Sequence, residues 1–310
     1  MPTIDSLLGR DIINYNPDEP LETNNNAIYR VGFLDYDDYE ENWNFADRLD
    51  NFFENDDIEK LDALIIGAWS YEDISSVETV QKLVENAGRL QNLKTLFFGD
   101  ISYDEQEISW IENSDVGPLL DALPNLNYFR VRGGMGLEFN TKGHANLQTL
   151  IVETGGLARE TTEQIINMEM PELKELELWF GSDYYGFSGD VDLIKPLIIG
   201  KPYPDNSYPF PKLERLALRN CQIADELAEA FMDARALDQL KELDFSMGTM
   251  TTRGAEALAN NERIANLESL NLDSNCIQDD ALIDRLNALG PQVIIGAQKG
   301  TDYLYVDVGE

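Results

Sequence analysis

The stretch between residues 100 and 115 is the part of the sequence best suited to hold a cation. It carries the carboxylates of Asp100, Asp104, Glu105, Glu107 and Asp115. Carboxylate oxygens are ligands for hard cations such as Ca²⁺, but the stretch lacks the regular spacing and central glycine of a calcium loop. Solvated or helix-capping carboxylates explain it more simply. We therefore expect no metal and no cofactor, and keep a metal-dependent hydrolase using this stretch as an alternative function.

The sequence gives little support for other kinds of catalytic site. A Ser-His-Asp or Cys-His centre would have to use His144, the single histidine, because such centres need an imidazole base. His144 lies in a segment that reads as a loop. The glycine-rich run 133–136 is not followed by the Lys-Ser or Lys-Thr of a phosphate-binding loop. The sequence therefore favours a protein that is not an enzyme.

A repeated apolar triplet runs through the chain, with apolar residues at places one, four and six of each copy. There are nine copies, and their first residues are Ile28, Leu61, Leu93, Leu126, Leu147, Leu173, Leu213, Leu240 and Leu267. Repeats of roughly 20–29 residues with this signature consist of a short strand followed by a helix. One unit cannot bury its apolar edge alone, so neighbouring units must stack.

This pattern predicts an α/β fold, a right-handed leucine-rich-repeat solenoid shaped as a horseshoe. Parallel strands would line its concave face and helices its convex face. We expect one continuous domain, with a cap and first strand at 1–56, repeats at 57–290 and a second cap at 291–310. Helical spacing of apolar residues predicts helices at 43–53, 75–90, 114–123, 161–167, 193–199, 226–236, 253–265 and 280–289. Short closing strands are predicted at 293–295 and 303–308.

The regular units resemble the ribonuclease-inhibitor-like class of leucine-rich-repeat proteins. Asn220-Cys221-Gln222-Ile223 matches the turn residues of that class. Further segments resemble a bacterial family of such proteins for which no activity is known. These are 67–69, 99–101, 107–111, 114–116, 152–157 and 178–181. The resemblance covers about residues 27–290 and implies a horseshoe fold without implying an activity. Several repeats exceed the class norm, which puts regular curvature in doubt.

Places three, five and seven of each strand define its inner face, because side chains alternate along a strand. Four of the chain's arginines stand there, close to a tyrosine and a tryptophan, which are the residue types enriched at binding hot spots. The candidate partner-binding residues are Tyr128, Arg130, Arg132, Glu153, Glu175, Glu177, Trp179, Arg215, Arg219 and Asp244. Equally, the arginines could neutralise neighbouring glutamates in a cross-strand ladder.

The charge of the chain limits its partners. Lys plus Arg number 23 and Asp plus Glu number 58, so the formal net charge is −35. So acidic a surface repels nucleic acid and anionic membranes and can attract a basic protein, although solubility is the simpler explanation of the charge. The two cysteines, Cys221 and Cys276, read as buried thiols in a reducing compartment. Without an export segment or a run of 18 apolar residues, the sequence predicts a cytoplasmic location.

The function that these observations favour is a protein-interaction module that binds a protein or peptide on its concave face. A structural solenoid without a specific partner is the second alternative. An insertion at 181–211 interrupts the repeats with six aromatic residues: Tyr184, Tyr185, Phe187, Tyr203, Tyr208 and Phe210. It can be a recognition loop or packing.

Overall fold

The computed structural model describes residues 3–22, 26–41, 44–72, 74–201 and 207–309. Trp43, predicted to begin a helix, and Tyr203 of the insertion lie outside the described residues. The chain divides into two compact units, unit 1 ending at Thr149 and unit 2 spanning Leu150–Gly309. The proposed subdivision into a cap, repeats and a second cap stays a prediction.

Unit 1 contains six strands that neighbour one another in chain order. They are β1 (Ser6–Leu7), β2 (Arg10–Asn14), β3 (Ile28–Val31), β4 (Ala63–Ile66), β5 (Thr95–Phe98) and β6 (Tyr128–Arg132). β1 pairs with β2 antiparallel, and β2 to β6 are parallel. The helices are α1 (Tyr36–Glu41), α2 (Phe45–Glu54), α3 (Val77–Glu85) and α4 (Gly117–Ala122).

Unit 2 also has its strands in chain order. They are β7 (Thr149–Glu153), which begins at the last residue of unit 1, β8 (Glu175–Gly181), β9 (Arg215–Cys221), β10 (Glu242–Asp244), β11 (Ser269–Asn271) and β12 (Gln292–Ile294). The helices are α5 (Arg159–Asn167), α6 (Val191–Ile194), α7 (Pro196–Ile199), α8 (Ala224–Ala230), α9 (Thr252–Ala259) and α10 (Asp280–Asn287). β8 to β12 pair parallel.

The repeat places apolar residues in register from strand to strand. Leu216, Leu243 and Leu270 are direct neighbours in the ladder, and all three are buried. All nine predicted strands are present as β3 to β11, and the closing strand near 293 is β12. Helices follow most strands. The predicted α/β leucine-rich-repeat solenoid is therefore confirmed in its strand order and its alternation of strands and helices.

Two predictions at the chain ends need correction. The first strand was predicted at the triplet that begins with Ile28, but two earlier strands, β1 and β2, precede it in the sheet. Residues 303–308, which alternate like an edge strand, form no strand. Their amides instead bond turn residues, since Val308 N donates to Asn220 Oδ1 (2.9 Å) and Asp307 N donates to Met247 O (3.0 Å). Asn220 and Met247 have positive φ, so the segment crosses turns and lacks a strand to pair with.

Both cysteines are buried and form no disulfide bond. Burial raises the pKa of Cys221 to about 12, so little thiolate forms near neutral pH. We expect a thiol reagent at pH 8 to leave the folded protein unlabelled and to label both cysteines in urea. Rapid labelling of the folded chain would contradict this burial.

No helix in the described part of the chain combines the length and apolar character needed to cross a bilayer.

Candidate functional site

The inner faces of β8, β9 and β10 bring charged side chains into line across unit 2. The ladder pairs Glu175 with Arg215 and Arg215 with Glu242. Two residues further along the strands, Glu177 and Asp244 flank Ala217. Another two residues along, Trp179 is paired with Arg219. Directly opposed residues on one face of a sheet interact through their side chains. We call Glu175, Glu177, Trp179, Arg215, Arg219, Glu242 and Asp244 the arginine network.

Arg215 is the centre of this network. Its Nη1 donates to Glu175 Oε1 (3.0 Å) and Glu177 Oε2 (2.8 Å). Its Nη2 donates to Asp244 Oδ2 (3.3 Å), and Nε lies 3.5 Å from Glu242 Oε2. The planar guanidinium suits such multiple carboxylate contacts. Arg215 therefore ties three strands together at one level of the sheet.

Arg219 forms the second level. Its Nη1 donates to Glu177 Oε1 (2.8 Å), and its guanidinium lies 5.0 Å from the ring centre of Trp179. The indole Nε1 of Trp179 donates to the same Glu177 oxygen (2.7 Å). Arg219 Nε also donates to Ser246 Oγ (2.9 Å). Since Glu177 accepts from three groups, it is held in one position.

The electrostatics of Glu177 follow from this arrangement. Burial by itself would raise its pKa, but Arg219 and Arg215 outweigh burial and lower the pKa below its usual value. Glu177 is therefore charged at neutral pH although it is buried. Arg215 and Arg219 keep 22% and 23% of their side chains exposed, so this network reaches the surface of unit 2.

Three predicted residues lie on β6 in unit 1. Tyr128 is buried, and Arg130 is partly exposed with its guanidinium 4.2 Å from the ring centre of Phe97. Arg132 is fully buried, with Nη1 donating to Ile101 O (2.8 Å) and lying 3.6 Å from Asp100 Oδ1. Glu153, on β7, is buried too. Arg132 and Glu153 therefore contribute to the interior.

The acidic stretch lies partly inside unit 1. Asp100 is fully buried, and its Oδ2 lies 3.4 Å from Nε of Arg30, whose Nη2 donates to Glu105 Oε1 (2.9 Å). Burial raises the pKa of Asp100, while Arg132 and Arg30 oppose that rise. These carboxylates are thus engaged by arginines. Within the described ranges, no three His, Cys, Asp or Glu side chains group as metal ligands.

Sequence reasoning missed Arg30. It stands at place three of the first triplet, after Ile28, so the rule that found the other arginines also applied to it. The structure places Gly67 beside it, where an added Cβ would lie 2.6 Å from Arg30 Cζ. The glycine therefore leaves the space that the guanidinium fills.

The remaining candidates have structural surroundings. His144 lies in a loop as predicted and is buried, with Nε2 3.1 Å from Leu123 O and Nδ1 accepting from Asn146 N. Burial lowers its pKa. In the insertion, Phe187 and Phe210 are buried while Tyr184 is largely exposed. The insertion thus combines packing residues with an exposed aromatic side chain.

Comparisons with known proteins agree with this fold. The family model described as "Leucine Rich repeat" matches residues 240–259 and 264–284. The crystal structure of a Bacteroides fragilis protein from a structural genomics consortium is 30% identical, covers 91% of this chain and 77% of its own, and has a TM-score of 0.80. This chain therefore belongs to the leucine-rich-repeat proteins.

More distant solved structures share less of the geometry. An internalin from Listeria monocytogenes is 15% identical with a TM-score of 0.41, covering 88% of this chain and 74% of its own. A leucine-rich-repeat protein from Leptospira interrogans is 14% identical with a TM-score of 0.38, covering 79% and 51%. No curated protein matches the sequence.

Proposed function

We propose that this chain is a non-enzymatic interaction module that binds a protein or peptide through the arginine network of unit 2. The observation that carries the proposal is the network itself, in which two partly exposed arginines are held in place on one strand, with the buried ring of Trp179 supporting Arg219 from the next strand. Arginine and tryptophan dominate binding energy at protein interfaces. Groups already fixed in place lose less entropy on binding, which favours affinity.

The charges of the network indicate the kind of partner. Arg215 and Arg219 face four carboxylates, those of Glu175, Glu177, Glu242 and Asp244. The surface therefore keeps an excess of negative charge. Complementary charge steers association and suppresses wrong partners, so a partner with basic residues at its docking surface fits best.

Two double variants test this proposal. E175A/E242A removes the more exposed carboxylates of the network, whereas E172A/E214A removes exposed glutamates that pair with Lys212 and Lys241. Both change the net charge equally. We expect protein captured by the wild-type chain, once purified, to bind E175A/E242A at least tenfold more weakly and the control within about twofold.

The same titrations can contradict the proposal. Equal binding by the network variant and the wild type would show that the network is not part of the binding surface. Equal weakening by both variants would show that only the overall charge matters.

The pairing within the network also favours a second function, a structural solenoid without a specific partner. Every guanidinium and carboxylate named above already has a partner inside unit 2, and such ladders stabilise sheets without any ligand. Failure of the wild-type chain to retain any stoichiometric partner would support this function.

A further inference from the structure

Unit 1 contains a pocket of about 410 Å³ that the function proposed for unit 2 does not use. Its floor and walls come from the N-terminal segment, β2, β3 and the loops after β3, β4 and β5. The lining residues used below are Asp5, Arg30, Asp35, Tyr36, Tyr71, Asp104 and Glu105. Pockets of this volume accommodate small ligands or individual side chains.

Arg30 lines this pocket, and one of its donor groups is not used by the described residues. Its side chain is only 6% exposed. Nε and Nη2 donate to Asp100 O (3.3 and 2.7 Å), and Nη2 also donates to Glu105 Oε1 (2.9 Å). Nη1 makes no hydrogen bond to any described residue. A guanidinium has five N–H donors, so Nη1 can serve an acceptor on a ligand.

The pocket nevertheless carries an excess of negative charge. Asp5, Asp35 and Asp104 are exposed at its lining, and Glu105 already pairs with Arg30. Four carboxylates therefore face one guanidinium, which is itself engaged by Asp100 and Glu105. Clefts lined by one sign of charge concentrate ions of the opposite sign. An anionic ligand is disfavoured, and a cation is attracted.

Aromatic rings form another part of the wall. Tyr36 is half exposed, and its ring meets that of Tyr71 edge to face with centroids 5.7 Å apart. Burial, followed by the nearby Glu105, raises the pKa of Tyr71 to about 12, so the phenol stays neutral. Tyrosine faces attract cations and also pack against aliphatic chains.

We propose that this pocket binds a lysine or arginine side chain of a partner peptide. The cationic group lies beside Asp35 and Asp104, and the aliphatic stem packs on Tyr36. A backbone carbonyl of the same peptide accepts a hydrogen bond from Nη1 of Arg30. The proposal rests on unit 1 alone, so it holds or fails independently of the arginine network.

The probe is a capped pentapeptide of sequence Gly-Arg-Lys-Arg-Gly, titrated calorimetrically into the full chain at 0.15 M salt. A second peptide carries citrulline and acetyl-lysine at the basic positions and so lacks the positive charge. We expect saturable one-to-one binding of the basic peptide and at least tenfold weaker binding of the neutral one. Equal binding of both peptides, or no saturation at millimolar concentration, would overturn the proposal.

Variants distinguish the pocket from the general attraction of an acidic protein. D35N/D104N should weaken binding at least tenfold, while the asparagine introduced in place of Asp35 can still accept from the amide of Asp38, as the native carboxylate does. D47N/D56N is the matched control, because Asp47 and Asp56 are exposed residues of unit 1 outside the pocket. It should bind within about twofold of wild type. Equal weakening by both pairs would contradict a specific pocket.

A third variant alters the pocket without changing its charge. In G67A the new Cβ would lie 2.6 Å from Arg30 Cζ, so the guanidinium must shift. We expect roughly fivefold weaker binding with an unchanged circular dichroism spectrum. If G67A fails to fold, Y36A tests the aromatic side of the same pocket, since Tyr36 is exposed and its removal should also weaken binding roughly fivefold. If a folded variant binds the peptide as tightly as wild type, the residue it alters does not contact the peptide and the proposed pose is wrong.

Discussion

Arg132→Met should destabilise the protein by about 3–5 kcal/mol, the cost typical of breaking a buried ion pair by removing one partner. Arg132 and Asp100 are both fully buried, and Arg132 Nη1 also satisfies the carbonyl of Ile101. Methionine fills similar space but removes one of the two arginines, Arg132 and Arg30, that pair with Asp100. Urea denaturation of the purified chain measures the change.

Two further variants make this result interpretable. Lys82→Met removes the cation of an exposed pair with Asp50 and should cost less than about 1 kcal/mol, as surface pairs do. In D100N/R132M the carboxylate that Arg132 helped to neutralise is gone, so the loss should be smaller than the sum of the single losses. If R132M unfolds at the same urea concentration as wild type, Arg132 is not part of a buried network.

Glu177→Gln should cost about 2–3 kcal/mol at pH 7, somewhat less than a fully buried pair because Arg215 and Arg219 are partly exposed. Glutamine retains an oxygen for Trp179 but removes the charge that both arginines contact. Glu175→Gln is the matched control, since Glu175 contacts the same Arg215 and is more exposed. Its expected cost is below about 1 kcal/mol.

The effect of Glu177 should also depend on pH. Its pKa is lowered in the folded protein, so the folded state favours the charged form more than the unfolded state does. The stabilisation is therefore complete above the ordinary value of 4.5 and is lost as the pH falls below it. The melting temperatures of wild type and E177Q, measured by thermal unfolding, should differ less at pH 3.5 than at pH 7. A difference that is equal at both pH values would be inconsistent with a lowered pKa.

The repeat made most of the fold predictable. Because Leu216, Leu243 and Leu270 recur at fixed places, their strands could only bury these leucines by pairing in register. The same alternation placed Glu177, Trp179 and Arg219 on one face of the sheet. The chain ends were less predictable, since residues 303–308 alternate like a strand yet bond to Asn220 and Met247.

The sequence predicted which residues stand on the inner face but not how far each of them is exposed. Arg132 and Arg219 occupy equivalent inner-face positions, yet Arg132 is fully buried whereas Arg219 keeps 23% of its side chain exposed. That difference depends on the loops after β5, which carry Asp100 and Glu105 towards the arginines. The periodicity of the repeats predicts the strands but does not predict the path of such loops.

The sequence by itself determined the order and parallel pairing of β3 to β6 and of β8 to β12, and the face on which each of their inner residues stands. These follow from local periodicity and from the need of each repeat to bury its apolar edge against the next. Only the tertiary structure decided which arginines remain accessible, which carboxylates neutralise them and where a pocket opens. The physical reason is that desolvation and ion pairing depend on groups brought together from distant parts of the chain, as Arg30 and Asp100 are.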